Sequence, residues 1–263
     1  MLVRYSPGSL VDERELDPRL RTGTIDALRG ERSAELSLSQ ALVSYWKGLL
    51  HGDFGYSTSN NAPISELLKQ GAPVTLREIG IGLACAWSAG LGLGIGVAKF
   101  RRNLLVDASS GAAAAILLSL PAALVAYFCL SVGAEATTVL VLVLAPRVFR
   151  FSRNLLAEAY ASPHVDMARA RGVNEWRILG AHVLPSAAPQ LFALAASSFS
   201  MAVGAAIPIE AICGVAGLGH LAWQAALSRD LLLLVNLTML IALATTITAG
   251  LAEAVTAPQE QPA

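Results

Sequence analysis

Of 263 residues, 54% are hydrophobic and only 14% charged, with 19 Lys and Arg against 19 Asp and Glu, and the mean hydropathy is +0.56. Such a chain is too apolar for an ordinary soluble domain, and a bilayer is its natural solvent. It also lacks the basic face that nucleic-acid binding needs.

The first 78 residues hold nine of the Lys and Arg and ten of the Asp and Glu, so a polar head precedes an apolar body. Within residues 1–73, turn formers stand at Pro7-Gly8, Asp17-Pro18, Gly52-Asp53 and Asn60-Asn61. Apolar residues at helical spacing from Leu36 to Leu50 predict one amphipathic helix. Met1 is not followed by the basic and apolar regions of a signal peptide.

The body then offers five spans. Ile79 to Ala98 is a 20-residue run without a charge, enough to cross a hydrocarbon core about 30 Å thick. Its glycines favour close helix contact in lipid, with Gly92 and Gly96 at small-xxx-small spacing. A phosphate-binding loop is the competing use of glycine, but no GxGxxG or GK[ST] pattern occurs. The predicted spans are residues 77–98, 106–132, 136–152, 187–208 and 231–254, which makes the fold all-α and polytopic. Pro121 falls inside the second and is tolerable if neighbouring helices satisfy the freed carbonyl. The third reaches full length only by running past Arg147 and Arg150, whose side chains are expected to snorkel to the interface. A polar tail occupies 258–263.

Few residues invite chemistry. Cys85, Cys129 and Cys213 each sit alone among apolar neighbours and read as buried small hydrophobes. The four histidines, His51, His164, His182 and His220, show no ligand spacing, so neither a metal nor another cofactor is expected on this chain. A membrane hydrolase would need a base at the depth of Ser109, Ser110, Ser197 or Ser198, and none is present. No repeated polar pattern provides the selectivity ring of a channel. No catalytic residue is expected.

Orientation follows from the basic loops. Lys99, Arg101 and Arg102 close the first span, and six Lys and Arg fall between 147 and 177, whereas the other two connections hold one between them. Both basic loops are therefore expected inside the cell and residues 1–73 outside. Nothing visible carries that head across, so either a further span lies upstream of Arg4, which is the preferred expectation, or the head crosses as an N-out tail.

The inner loop, Arg153 to Pro185, is too regular for a connector. Helical stretches over about 155–171 and 174–182 flank Gly172, which can close the first with a positive φ, while Asn174 caps the second. Such a knob suits a groove on a partner. Here the sequence resembles the permeases of binding-protein-dependent ABC importers, whose signature is EAA, three residues, Gly, nine residues, Ile, one residue and Leu-Pro. Asp166-Met167-Ala168 stands in the EAA place, Gly172 at the Gly and Leu184-Pro185 at the Leu-Pro, with His182 replacing Ile. Arg150, Arg153, Leu156, Glu158, Val165, Ala168, Arg169, Ala170 and Gly172 also match the dipeptide, oligopeptide and nickel branch. So do Gly52-Asp53-Phe54-Gly55, Pro63, Glu210, Gly217-Leu218-Gly219 and Arg229-Asp230. The likeness covers nearly the whole chain, but the family's first span is missing.

The resemblance implies a type I importer permease in the bacterial inner membrane. It forms half of a translocation path and is not itself an enzyme. Implied partners are a second homologous permease, two ATP-binding subunits and an extracytoplasmic solute-binding protein. The ATPase-coupling residues would be Asp166, Ala168, Arg169, Ala170, Arg171, Gly172, Leu184 and Pro185. Arg169 and Arg171 are either positive-inside anchors or partners for ATPase carboxylates. Glu210 is either an exposed interfacial carboxylate or a lining residue of the path. The rival reading is a non-transporting or degenerate structural subunit.

Overall fold

Beyond Gly55 the chain is almost wholly helical, as an apolar chain must be when no water is present to satisfy its backbone. The computed structural model describes residues 47–49, 52–99 and 104–256. Most of the expected helix over 36–50, Arg101, Arg102 and the tail lie outside them. Two compact units are distinguished, Met1–Phe54 and Gly55–Ala263. In the first, the Gly52-Asp53 turn closes through Gly52 N–H to Leu49 O, 3.1 Å, and Asp53 N–H to Gly48 O, 2.9 Å.

The second unit opens with a two-stranded antiparallel hairpin, β1 (Tyr56–Ser57) and β2 (Ala62–Pro63). Its turn uses Asn61 at φ 48°, a conformation that Asn tolerates better than most residues. Helix α1 (Ile64–Lys99) follows directly, so the first helix starts well inside the stretch expected to be head. Next come α2 (Leu104–Ser119), α3 (Ala122–Ser131) and α4 (Ala136–Tyr160), then α5 (Pro163–Ala170) and α6 (Glu175–Ile178). A π-helical turn, Leu179–Val183, leads into α7 (Leu184–Cys213), and α8 (Leu218–Leu227) and α9 (Leu231–Thr256) complete the chain.

Among the described residues three helices are long and apolar enough to cross a membrane, and α2 with α3 would make a fourth if that pair, bent by 92°, is one span. The expected second span is thus broken rather than straight. Pro121 holds an extended ψ of 140° ahead of α3 and disfavours helix in the residue before it. Helix α4, the expected third span, falls short in apolarity because Arg147, Arg150 and Arg153 lie along it.

Helices α1 and α4 form the most extensive helix pair. A Cβ on Gly82 would lie 2.9 Å from Leu140 Cβ, on Gly90 2.8 Å from Val148 Cβ, and on Gly94 2.5 Å from Ser152 Oγ. Ala86, fully buried, continues the same face. Spacings of four along α1 meet spacings of four along α4, with residue numbers rising together, so the two helices run parallel. The chain must turn back between them, and α2 with α3 is the segment that does so. The sequence places the contact elsewhere: Gly92 and Gly96, the expected packing pair, have no atom near an added Cβ. Cys85 is exposed, contrary to expectation, while Cys129 is buried and Cys213 partly so.

Two clusters fill the interior. One joins α1, α3, α4 and α7 through Ile79, Ala126, Leu140, Leu144, Ala202 and Ile209. The other lies toward the basic loops and joins Ala98, Leu156, Val165, Ile178 and Val183.

This packing makes opposite predictions for neighbouring glycines. Gly90→Ala should lower the stability of detergent-solubilised protein by about 1 to 3 kcal/mol, the usual cost of overpacking. Gly92→Ala should be neutral or raise it by up to about 1 kcal/mol, because alanine is the better helix former. Thermal melts of both variants check this, and equal effects would contradict the assigned contact face.

Candidate functional site

The inner turn is built as a cap on a small core. Helix α4 ends at Tyr160, because Pro163 starts a new helix and Ser162 before it takes ψ 144°. The single helix expected over 155–171 is therefore two. Helix α5 closes as the sequence predicts: Gly172 has φ 75°, its N–H donates to Arg169 O at 3.0 Å, and Val173 N–H donates to Ala168 O at 3.2 Å. These are the two bonds of a Schellman motif. Asn174 caps α6, its side-chain oxygen accepting from Trp176 N–H at 3.0 Å. The second stretch does not stop at 182. It runs on through the π turn into α7, and Pro185 accounts for the widening, since its ring has no N–H and crowds the carbonyl four residues back.

Underneath, Val165, Ala168 and Ile178 are buried, with Val173 and Leu184 packed against them. Ala168 and Leu184 thus hold the knob in place. Asp166, Arg169, Ala170, Arg171, Gly172 and Pro185 lie exposed on it. Arg169 spans the turn, with Nε 2.8 Å from Glu175 Oε1 and Nη1 3.2 Å from Asp166 Oδ1. Its bond to Glu175 holds the guanidinium still more firmly in its charged form, so its charge is engaged inside the knob. Sequence reasoning passed over Met167 and Trp176, which are 60% and 69% exposed at the knob surface. A tryptophan two residues after a cap, in a polar stretch, was the available signal; such side chains commonly anchor interfaces.

Glu210 answers to neither expectation. It is 1% exposed, so it is neither an interfacial carboxylate nor, in this conformation, open to a path. Its Oε1 accepts from Thr75 Oγ1 at 2.7 Å, and its Oε2 from the N–H groups of Gly219 at 2.8 Å and His220 at 3.2 Å. Thr75 Oγ1 in turn accepts from Leu218 N–H at 2.7 Å. The carboxylate and its threonine therefore satisfy the orphan donors at the start of α8, a helix of 10 residues that is too short to span. Glycine is required beside them: a Cβ on Gly217 would strike Glu210 Oε2 and lie 2.5 Å from Thr75 Oγ1, and one on Gly219 would lie 2.8 Å from Ile207 Cα. The Gly-Leu-Gly pattern was visible in the sequence, but its acceptor was not.

Asp230, 2% exposed, does the same for α9. Its Oδ1 accepts from Leu233 N–H at 3.1 Å. Its Oδ2 accepts from Ser57 Oγ at 2.7 Å, Ser59 N–H at 3.1 Å and Ser59 Oγ at 3.0 Å, which ties the hairpin to the last helix. Burial pushes this carboxyl up, but the bonds from Ser57, Ser59 and Leu233 outweigh it and hold it below the usual carboxylate range.

Arg147 and Arg150 also part company. Arg150 is exposed, but Arg147 is half-buried and lies across Met201 Sδ, 3.9 Å from Nη1, with the Phe151 ring centroid 5.4 Å from its Cζ. Among the described residues no group of three or more His, Cys, Asp or Glu gathers as metal ligands would.

Residues 90–256 match the binding-protein-dependent transport system inner membrane components, and the chain belongs to that family. It is 27% identical over 272 residues to a Brucella suis biovar 1 protein provisionally named a peptide permease, covering 92% of this chain and 85% of that one. It is 26% identical over 249 residues to the nickel import system permease protein NikB of Staphylococcus aureus, covering 88% and 75%. In fold it resembles a chain of the inward-facing MetNI methionine ABC transporter, with a TM-score of 0.59 and 24% identity over 72% of this chain and 96% of that one. The chain is thus a permease subunit of an ABC importer, located in the inner membrane, and a transporter component rather than an enzyme.

Two outcomes follow from the caps. Glu210→Ala should destabilise the solubilised protein by about 1 to 3 kcal/mol, because three buried donors lose their acceptor, and Glu210→Gln by less; equal melts for all three proteins would contradict the cap. Asp230, with its pKa depressed on folding, contributes stability that is complete above the unfolded value of about 3.9. That stability is lost as pH falls through the native value. The melting difference between wild type and Asp230→Asn should therefore be full at neutral pH and shrink on acidification below about pH 4.

Proposed function

We propose that this chain is one of two permease subunits of an importer for peptides, fed by an extracytoplasmic binding protein and driven by two separate ATP-binding subunits. In this reading α1, the bent pair α2–α3, α4, α7 and α9 each cross the membrane, and the knob over 161–183 seats in a cleft of an ATP-binding subunit. Asp166, Arg169, Ala170, Arg171 and Gly172 form its contact surface together with Met167 and Trp176. Ala168 and Leu184 brace it from below, and Pro185 marks where it passes into the spanning helix. ATP closes the two ATPases on each other, draws the paired knobs together and rocks the helices from inward-open to outward-open. Hydrolysis resets them. The ATP chemistry belongs to the ATPases; this chain's part is mechanical.

The observation that carries the proposal is the knob itself, a rigid Schellman-closed turn with a buried underside and an exposed tryptophan and methionine. The peptide substrate rests on the Brucella suis relative's name; the staphylococcal relative makes nickel the competing cargo.

Gly172 provides the test. A Cβ there meets nothing within 4 Å, yet φ is 75°, so a substitution acts through the backbone alone. Gly172→Val should strain the turn by about 1 to 3 kcal/mol and lower solute moved per ATP hydrolysed by the reconstituted importer. Gly172→Asn, which tolerates this conformation, should stay near wild type. Unchanged uptake with valine would count against the knob as the coupling element.

A further inference from the structure

Arg147 stands roughly three turns into α4, about 16 Å from the helix start at 1.5 Å per residue, near the middle of a helix that crosses the membrane in the reading above. Its Nε is buried with no hydrogen-bond partner among the described residues. The contacts it does make hold the guanidinium in position weakly: Nη1 donates to the thioether Met201 Sδ at 3.9 Å, and the Phe151 ring lies beside Cζ. Arginine stays charged in any protein setting, and a buried unmet donor is costly. An ionisable group at this depth ordinarily faces the bundle interior or a water-filled cavity.

The surroundings distinguish this face from a lipid face. Ile116, Leu124, Leu243 and Leu251 on α2, α3 and α9 are bulky, apolar and exposed. Beside Met201, by contrast, α7 presents half-buried Ser197 and Ser200 and exposed Gly204 at successive helical turns. Both hydroxyls donate to their own helix, Ser197 Oγ to Leu194 O at 3.0 Å and Ser200 Oγ to Ala196 O at 3.2 Å, so their acceptor lone pairs and the Arg147 charge are what this face offers a polar solute.

We propose that Arg147 is a solute-contacting, specificity-determining residue of the translocation path, whose guanidinium receives the carboxylate of a peptide in transit. The inference rests on the peptide-importer reading above and sharpens it. A fixed guanidinium attracts a carboxylate through paired, charge-assisted bonds and repels a bare divalent cation, so it favours peptides over nickel ions as cargo.

The test uses the complete importer, with its second permease, ATP-binding subunits and binding protein, in proteoliposomes. Uptake of radiolabelled trialanine and of nickel ions is measured for wild type, Arg147→Met and Arg147→Lys. Methionine keeps the length and removes the charge. Arg147→Met should lower trialanine uptake about tenfold, the scale of one charge-assisted contact. Its melting temperature should not fall, because the costly unmet donor is removed, the stimulation of ATP hydrolysis by loaded binding protein should stay at the wild-type value, and Arg147→Lys should recover a substantial part of the uptake. Trialanine uptake by Arg147→Met within twofold of wild type would overturn the assignment, and so would a loss matched by equal losses of melting temperature and ATPase stimulation. A wild-type complex that carries nickel ions and no trialanine would sink the peptide reading and the anion contact together. Trialanine uptake indifferent to Arg147 would sink only the contact.

Discussion

The close approach of α1 to α4 is the contact on which the rest of this structure depends. In lipid, burying apolar surface between helices gains little, because the alternative environment is equally apolar, and association rests on van der Waals fit. Gly82, Ala86, Gly90 and Gly94 supply that fit by letting the α1 backbone come within side-chain contact of Leu140, Val148 and Ser152. Their common register fixes both the sliding position and the parallel sense of the two helices. Once these are set, α2 and α3 have one route back, α7 packs along α4, and the basic turn after α4 emerges at the same end as the close of α1.

Polar groups are spent mainly where helices begin. Glu210 and Thr75 serve the start of α8, Asp230 the start of α9 and Asn174 the start of α6. Each is a local answer to the same requirement, that the first N–H groups of a helix need acceptors when water is scarce. Two of the three also bridge elements far apart in sequence: Glu210 draws α1 to α8, and Asp230 draws the hairpin to α9. Arg147 and Arg153 are exceptions: Arg147 lies against Met201, and Arg153 Nη1 donates to Ser110 Oγ on α2 at 3.1 Å.

Much of this was legible in the sequence. Run lengths and charges gave an all-helical membrane bundle, the Gly172 and Asn174 signals gave the turn geometry, and signature spacing gave the family. The failures share a cause, which is that periodicity does not reveal which face of a helix meets a neighbour. Gly92 and Gly96 satisfy the small-xxx-small rule as well as Gly90 and Gly94 do, and only the position of α4 separates them. Glu210 read as an exposed or path-lining carboxylate because its acceptor role depends on donors from a later helix and on Thr75, far back in the chain. Pro121 was misjudged in degree, since it parts α2 from α3 outright, and Pro163, with the extended Ser162 before it, went unread as the break between α4 and α5.

The continuity of α6, the π turn and α7 carries a mechanical consequence. From Glu175 to Cys213 the chain is one apolar helical segment of 39 residues, about 58 Å long at 1.5 Å per residue. Near one end it carries the exposed Trp176, and near the other the carboxylate that grips α8. The segment therefore joins the inner turn to the α8 cap without leaving helix, and the places where it can bend are few and identifiable: the π turn at Leu179–Val183 and the interior prolines Pro189 and Pro208.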